Sequence, residues 1–240
     1  MEENNMQNQE EIKSEEIKND TDSFGNDGFP QKFDFTFIKD RAVSLLFAEK
    51  DIWQKIKAEE VAPINLMKYY FCPLLAIPVV FYFLSSLFTG SSHSPFISSC
   101  LYYVLGVFCA YGSAWVLDKY GLEFINKYSP KVIKSKDKKT GEVTETPLEE
   151  IHADITFDNA LKAIVYSFTP FCISGIAFLI PSSVIFLCTA ALLYSVYNLY
   201  LALPTMTDVA DVNRMRLLGG FLAVVFTLFA IPACIVFSFI

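Results

Sequence analysis

The stretch YYFCPLLAIPVVFYFLSSLF, residues Tyr69–Phe88, runs for twenty residues without a charged side chain. A helix of that length rises about 30 Å, which matches the hydrocarbon thickness of a bilayer. Four further stretches read the same way: Ser98–Leu117, Ala160–Ile180, Val184–Leu203 and Gly219–Ile240. Charge sorts the segments between them. Residues 89–100 carry no Lys, Arg, Asp or Glu, and a short Pro181-Ser182-Ser183 turn joins the third and fourth stretches. All fifteen Lys and Arg of residues 41–240 fall on the other side. Positive charge stays on the cytoplasmic face, so the N-terminus is expected inside, followed by five crossings, with the C-terminus outside.

The expected fold class is all-α: a polytopic bundle of five transmembrane helices, with a disordered acidic N-terminal tail and an amphipathic juxtamembrane helix. The composition agrees, with 53% hydrophobic and 19% charged residues. The net charge of −7 belongs to the tail, because residues 1–40 hold eleven Asp and Glu against four Lys. That leaves residues 41–240 neutral, so the acidity says nothing about ligands of the membrane part and gives no basis for a nucleic-acid partner.

Three regions follow. Residues 1–36 are rich in Glu, Asn, Asp and Gln and bury too little apolar surface to order themselves, so they read as a disordered cytoplasmic tail. The first twenty residues lack an apolar core, so a cleavable signal is not expected and the first span is expected to direct insertion. Residues 37–62 form the expected interfacial helix. Ile38, Ala42, Leu45, Leu46, Ile52 and Ile56 make an apolar stripe, and Trp53, Lys55 and Lys57 are candidate anchors at the headgroup boundary. A protein partner docking on that helix is the alternative. Residues 63–240 form the five-helix domain.

The inner loop between the second and third spans carries Lys131, Lys134, Lys136, Lys138 and Lys139, a candidate lipid-facing basic cluster. The same lysines also serve to retain the loop inside. Within the second span, Gly106, Ala110 and Ala114 stand four residues apart and form a candidate helix-packing row. Packing within the chain is the first reading of that row, and a homo-oligomer is the second.

No residue pattern announces catalysis. His93 and His152 are the two histidines, and neither has companions at metal-ligand spacing. The six cysteines, Cys72, Cys100, Cys109, Cys172, Cys188 and Cys234, fall within spans or at a span end and lack C-x-x-C spacing. There is no Walker-type loop, HExxH or GxSxG. No cofactor is expected, and the spans lack the central charges that mark ion-coupled carriers. Pro73, Pro78, Pro170, Pro181, Pro204 and Pro232 and the hydroxyls of Ser167 and Thr169 leave a pore or carrier for a neutral solute as the alternative function.

Several short words resemble the YIP-domain family, the five-pass membrane proteins named for interaction with Ypt/Rab GTPases. They are Leu45-Leu46, Trp53-Gln54-Lys55-Ile56, Asn159-Ala160-Leu161-Lys162, Tyr166-Ser167-Phe168-Thr169-Pro170 and Tyr197-Asn198-Leu199-Tyr200-Leu201-Ala202-Leu203-Pro204. The resemblance covers about residues 40–240 and leans to the bacterial branch. It implies a non-enzymatic integral membrane protein that organises the bilayer or recruits partners at the cytoplasmic face. The eukaryotic relatives act in vesicle trafficking. A bacterial inner membrane is the expected location, with the endoplasmic reticulum and Golgi as the alternative. Glu49, Ala202 and the turn Asp208–Arg216 depart from the pattern, so no partner surface is carried over.

The charge alternation makes a direct prediction. A reporter fused after Ile240 will read as external, and a cysteine placed beside Lys136 will label only once the membrane is opened. Replacing the lysines of residues 131–139 by Gln will weaken that retention only slightly, because other inner charges remain.

Overall fold

A computed structural model describes residues 29, 30, 32–47, 51–89, 94–128, 132–136, 143–147, 155–180, 182–209 and 211–238. The side chains of residues 89, 126–128, 132–136, 143–147, 211–212 and 227–238 lie outside that description. Four helical stretches among these residues are long and apolar enough to cross a membrane: Pro63–Phe88, Pro95–Ile125, Phe157–Leu179 and Val184–Thr207. They coincide with the first four predicted spans. The fifth, Gly219–Ile240, falls on a helix that runs Asp211–Ser238, but most of its side chains lie outside the described ones. The tail before residue 29 also lies outside the described residues.

Among the described residues the first helices are α1, Phe35–Leu46, and α2, Ile52–Ala58. The predicted juxtamembrane helix is thus two helices, not one. Asp34 starts α1, its carboxylate accepting from the backbone N–H groups of Thr36 (2.8 Å) and Phe37 (3.3 Å). This sets the helix start within the segment read as tail. Phe29 is buried as well, edge-on to Phe37 with ring centres 5.2 Å apart.

The first span is α3, Pro63–Leu66, then a π-helical turn Met67–Phe71, then α4, Cys72–Thr89. Pro73 explains the turn. It has no N–H to give to the carbonyl four residues back, and widening the preceding turn relieves the mismatch. The second span is α5, Pro95–Tyr128, which continues eleven residues past Leu117, where the apolar run ends. Part of the inner loop then forms an antiparallel pair, β1 Val132–Lys136 and β2 Val143–Pro147, with Lys134 opposite Glu145. The all-α expectation therefore holds for the spans and not for this loop, where β-branched Val132, Ile133, Val143 and Thr144 favour extended backbone.

The third span is broken. It comprises α6, Phe157–Ser167, α7, Thr169–Ser174, and a 3₁₀ turn, Gly175–Leu179. Pro170 enforces the first break, since a proline cannot continue the hydrogen-bond ladder. This span is also the central one, with 67% of its apolar window buried against 17–28% for the other three. Around it pack α4, α5 and α8, Val184–Thr207, while the last helix, α9, Asp211–Ser238, lies on α5 and α8. Asp208, with φ 51°, turns the chain between α8 and α9.

Small residues set how closely these helices approach. At Gly175 a Cβ would overlap the backbone of Pro78, so the 3₁₀ turn rests directly on α4. A Cβ at Gly106 would come within 2.8 Å of the Leu75 side chain, also on α4. Ala110 and Ala114 are buried along α5, the helix that also carries Gly106. Gly219 has nothing within reach.

Thermal stability in detergent will separate these positions. Gly175→Ala will cost roughly 1–3 kcal/mol or more, because neither backbone can yield. Gly219→Ala will leave stability unchanged or raise it by roughly 0.5–1 kcal/mol, the helical preference of alanine. Ala110→Leu will also destabilise the monomer. Loss of only a crosslinked dimer would instead assign that row to contact between copies.

Candidate functional site

The charged residues at one end of the bundle are not all on its surface. Arg41 of α1 pairs with Glu59, in the connection between α2 and α3, and their side chains are only 9% and 12% exposed. Lys162, on the second turn of α6, is 6% exposed and donates its ammonium to the backbone carbonyl of Glu59. Three elements distant in sequence thus converge on one carboxylate and its own peptide. Two cations and one anion leave a net charge of +1 in the cluster.

Aromatic rings floor it. The Arg41 guanidinium lies 5.2 Å from the ring centre of Phe37 and 5.6 Å from that of Tyr166. Tyr70, carried by the π turn, packs tilted against Tyr166 with ring centres 4.7 Å apart, and shares a 2.9 Å hydrogen bond with the Thr169 hydroxyl. The π turn is what brings Tyr70 round to α7. Glu59 Oε2, the Tyr166 hydroxyl and Ser167 Oγ are buried with no partner among the described residues. Burial pushes the Glu59 carboxyl above its usual range, and the Arg41 charge opposes that shift.

The same hairpin of α1 and α2 is held at two more points. The last carbonyls of α1 accept from α8: Leu46 from the Tyr194 hydroxyl at 2.6 Å, and Leu45 from Asn198 Nδ2 at 3.4 Å. Lys57 meets both carboxylate oxygens of Asp208 at 2.7 Å. The arrangement clamps a helical hairpin to the charge-rich end of the bundle. It contains no nucleophile with an adjacent base, and among the described residues no group of three His, Cys, Asp or Glu could hold a metal.

The residues singled out from sequence divide as follows. Trp53 is 4% exposed and sits in the core with Ile52 and Ile56, facing the bundle and not a headgroup boundary. Its large apolar face is better buried against protein than left at a wet interface. Lys55 is exposed, while Lys57 serves the pair just described. Lys134 and Lys136 lie in β1, and Lys131, Lys138, Lys139, His93 and His152 lie outside the described residues. Ser167 and Thr169 are fully buried.

Sequence reading missed the Arg41–Glu59–Lys162 cluster. Two signals pointed to it. Lys162 falls inside an apolar stretch, and Arg41 is one of only three arginines beside sixteen lysines. Arginine is the cation suited to buried, stacked pairs.

Comparison with known proteins adds one finding. A family model described as the Yip1 domain matches residues 43–232, which takes in Glu59, Tyr70, Lys162, Tyr166 and Asn198. No curated protein and no solved structure matches the chain.

Stability against pH will report on the cluster. The folded state holds the Glu59 proton more tightly than the unfolded chain does, so this group's contribution to stability is full at low pH and is lost as pH rises through the folded value. Arg41→Leu strips the buried carboxylate of its partner and will cost roughly 3–5 kcal/mol at neutral pH. It will also move that decline to higher pH, so acid partly rescues the variant. Arg41→Leu combined with Glu59→Leu will recover much of the loss. Equal loss in single and double variants would mean the pair is not coupled.

Proposed function

The chain belongs to the Yip1 domain family, and from that premise we propose that it is a non-enzymatic membrane scaffold, which organises the bilayer around its charge-rich end and offers that end to protein partners. One observation carries this reading. α1 buries Ile38, Ala42 and Leu45 against the bundle, yet its outer side exposes Phe35, Val43, Leu46 and the following Phe47. The same outer side also exposes Lys39 and Asp40, and a helix face that mixes exposed Phe with charged residues suits the headgroup boundary of one leaflet. Because the clamp holds it at one end of the bundle, it adds bulk to a single leaflet.

The finer topology belongs to the same proposal. The end carrying α1 and the β1–β2 loop faces the cytoplasm, α9 makes the fifth crossing, and the chain ends outside. The residues before Phe29 serve as the tail, and a bacterial inner membrane is the favoured location. A solute conduit is less well supported. The hydroxyls that suggest one are sealed inside the bundle, with Thr169 occupied by Tyr70.

Reconstitution into vesicles of mixed diameter tests the proposal. Wild type will be enriched on small vesicles, where one leaflet is under-packed. The double variant Phe35→Asn, Phe47→Asn will lose that preference without losing thermal stability. Each exposed Phe contributes roughly 1.5–3 kcal/mol on leaving water, so the change should be plain. A variant that keeps the enrichment defeats the wedge. Flux of a neutral solute, abolished by a change at Ser167 or Thr169, would replace the scaffold with a conduit.

A further inference from the structure

Helix α1 lies across the membrane spans, not beneath them. At intervals of about one turn it touches three spans in order. Phe37 meets Tyr70 of the first, with ring centres 6.4 Å apart. The Arg41 guanidinium lies over Tyr166 of the third. The carbonyls of Leu45 and Leu46 accept from Asn198 and Tyr194 of the fourth. A helix that meets three neighbours in this way runs transverse to them, so its contacts mark one level of the bundle. That level is far from the span ends, because Tyr194 and Asn198 stand near the middle of α8, Val184–Thr207.

Between that level and the charge-poor side, the third and fourth spans are short. From Val184 to Tyr194 or Asn198, α8 rises roughly 15–21 Å. Thr169–Ser174 and the 3₁₀ turn Gly175–Leu179 together rise roughly 17 Å. Tilt would lower both heights. Exposure keeps to the same limit: the exposed apolar side chains of α8 run from Ile185 to Tyr197, and no residue from Asn198 to Thr207 is exposed. On α5 the exposed apolar face runs from Phe96 to Trp115, roughly 29 Å and close to the ordinary thickness of the hydrocarbon. The bundle therefore has a tall face and a short one.

Either α1 is sunk towards the middle of the hydrocarbon, or the hydrocarbon ends at α1. The charges on its outer side decide. Lys39 and Asp40 are 59% and 68% exposed, and Asp51 and Lys55 are exposed beside them on α2 and its start. Charged side chains at the bilayer centre are costly and rare, whereas a bilayer thins against a short apolar surface at modest cost per ångström. Tyr194 and Tyr197, with ring centres 6.0 Å apart, also stand at the inner limit of the short face, where interfacial aromatic residues belong. We infer that the face made by the 3₁₀ turn and α8 holds the bilayer thin, at roughly 15–21 Å of hydrocarbon, and gathers lipids with short acyl chains. This deepens the scaffold reading by naming the lipid it selects, and it rests on α1 being a boundary helix.

The test uses the full-length protein in vesicles that mix a short-chain phosphatidylcholine with a longer one brominated on its chains, which quenches tryptophan on contact. Trp115 is exposed and reports the tall face, while Trp53 is buried and gives a constant background. The variant Trp115→Phe, Leu193→Trp moves the reporter to an exposed position on α8. Calibrated in each lipid alone, that variant will show short chains enriched about two- to five-fold over the bulk mixture, and native Trp115 will show no enrichment. The same lipid ratio at both positions overturns the inference. In a second variant, Trp115→Phe with Phe47→Trp, bromine near the lipid ester will quench more than bromine near the methyl end. The reverse order places α1 at the bilayer centre and overturns the inference too. Both new reporters replace exposed side chains, so thermal stability will match that of wild type. The wedge is read by vesicle diameter and the short face by chain length, so a failed diameter preference with chain selection intact strikes the wedge alone.

Discussion

The carboxylate and carbonyl of Glu59 are where the amino-terminal part of the chain meets the membrane bundle. Arg41 reaches them from α1 and Lys162 from α6, and neither cation is open to water. A buried pair of this kind adds little net stability over apolar replacements, but it is expensive to break. Its effect is therefore on arrangement. The placement of α1 and α2 that satisfies both cations also puts the last carbonyls of α1 under Tyr194 and Asn198. The clamp fixes where the apolar outer side of α1 points.

Much of the architecture was readable because two plain regularities agree. Twenty-residue apolar runs located the four spans found among the described residues, and the prolines within them marked where breaks could fall. The breaks were less readable. Pro170 was visible as a breaker, but whether a proline kinks, widens or severs a helix depends on its neighbours. Pro73 produces a π turn, Pro78 stays within α4, and Pro170 separates α6 from α7. The role of Gly175 was also hidden, because its partner Pro78 is almost a hundred residues away and its contact is with backbone.

The site was legible only in part. The stripe of Ile38, Ala42, Leu45 and Leu46 was expected to lie on the membrane; Ile38, Ala42 and Leu45 are buried against the bundle, Leu46 is exposed, and Trp53 is in the core. The helical period shows which residues share a face. It does not show whether protein or lipid covers that face, and both are apolar. Arg41 and Glu59 are eighteen residues apart on separate elements, so no spacing rule joins them. The motif Tyr197-Asn198 drew notice as a family word, and the geometry supplies its physics: Asn198 caps a helix from another part of the chain.

The broken third span has a consequence for biosynthesis. A segment leaving the translocon partitions into lipid by its own hydrophobicity, and it must satisfy its own backbone when it does. Phe157–Leu179 is poorly equipped to do so alone. It carries Lys162, loses a ladder bond at Pro170, and tightens to a 3₁₀ turn that fits only against Pro78. Its neighbours meet those needs: Glu59 accepts from the lysine, Tyr70 engages Thr169, and α4 receives the turn. The first span is made earlier and stands ready. Membrane integration of the third span is thus a cooperative step templated by the first, and damage to α4 will surface as a failure of the third span to insert.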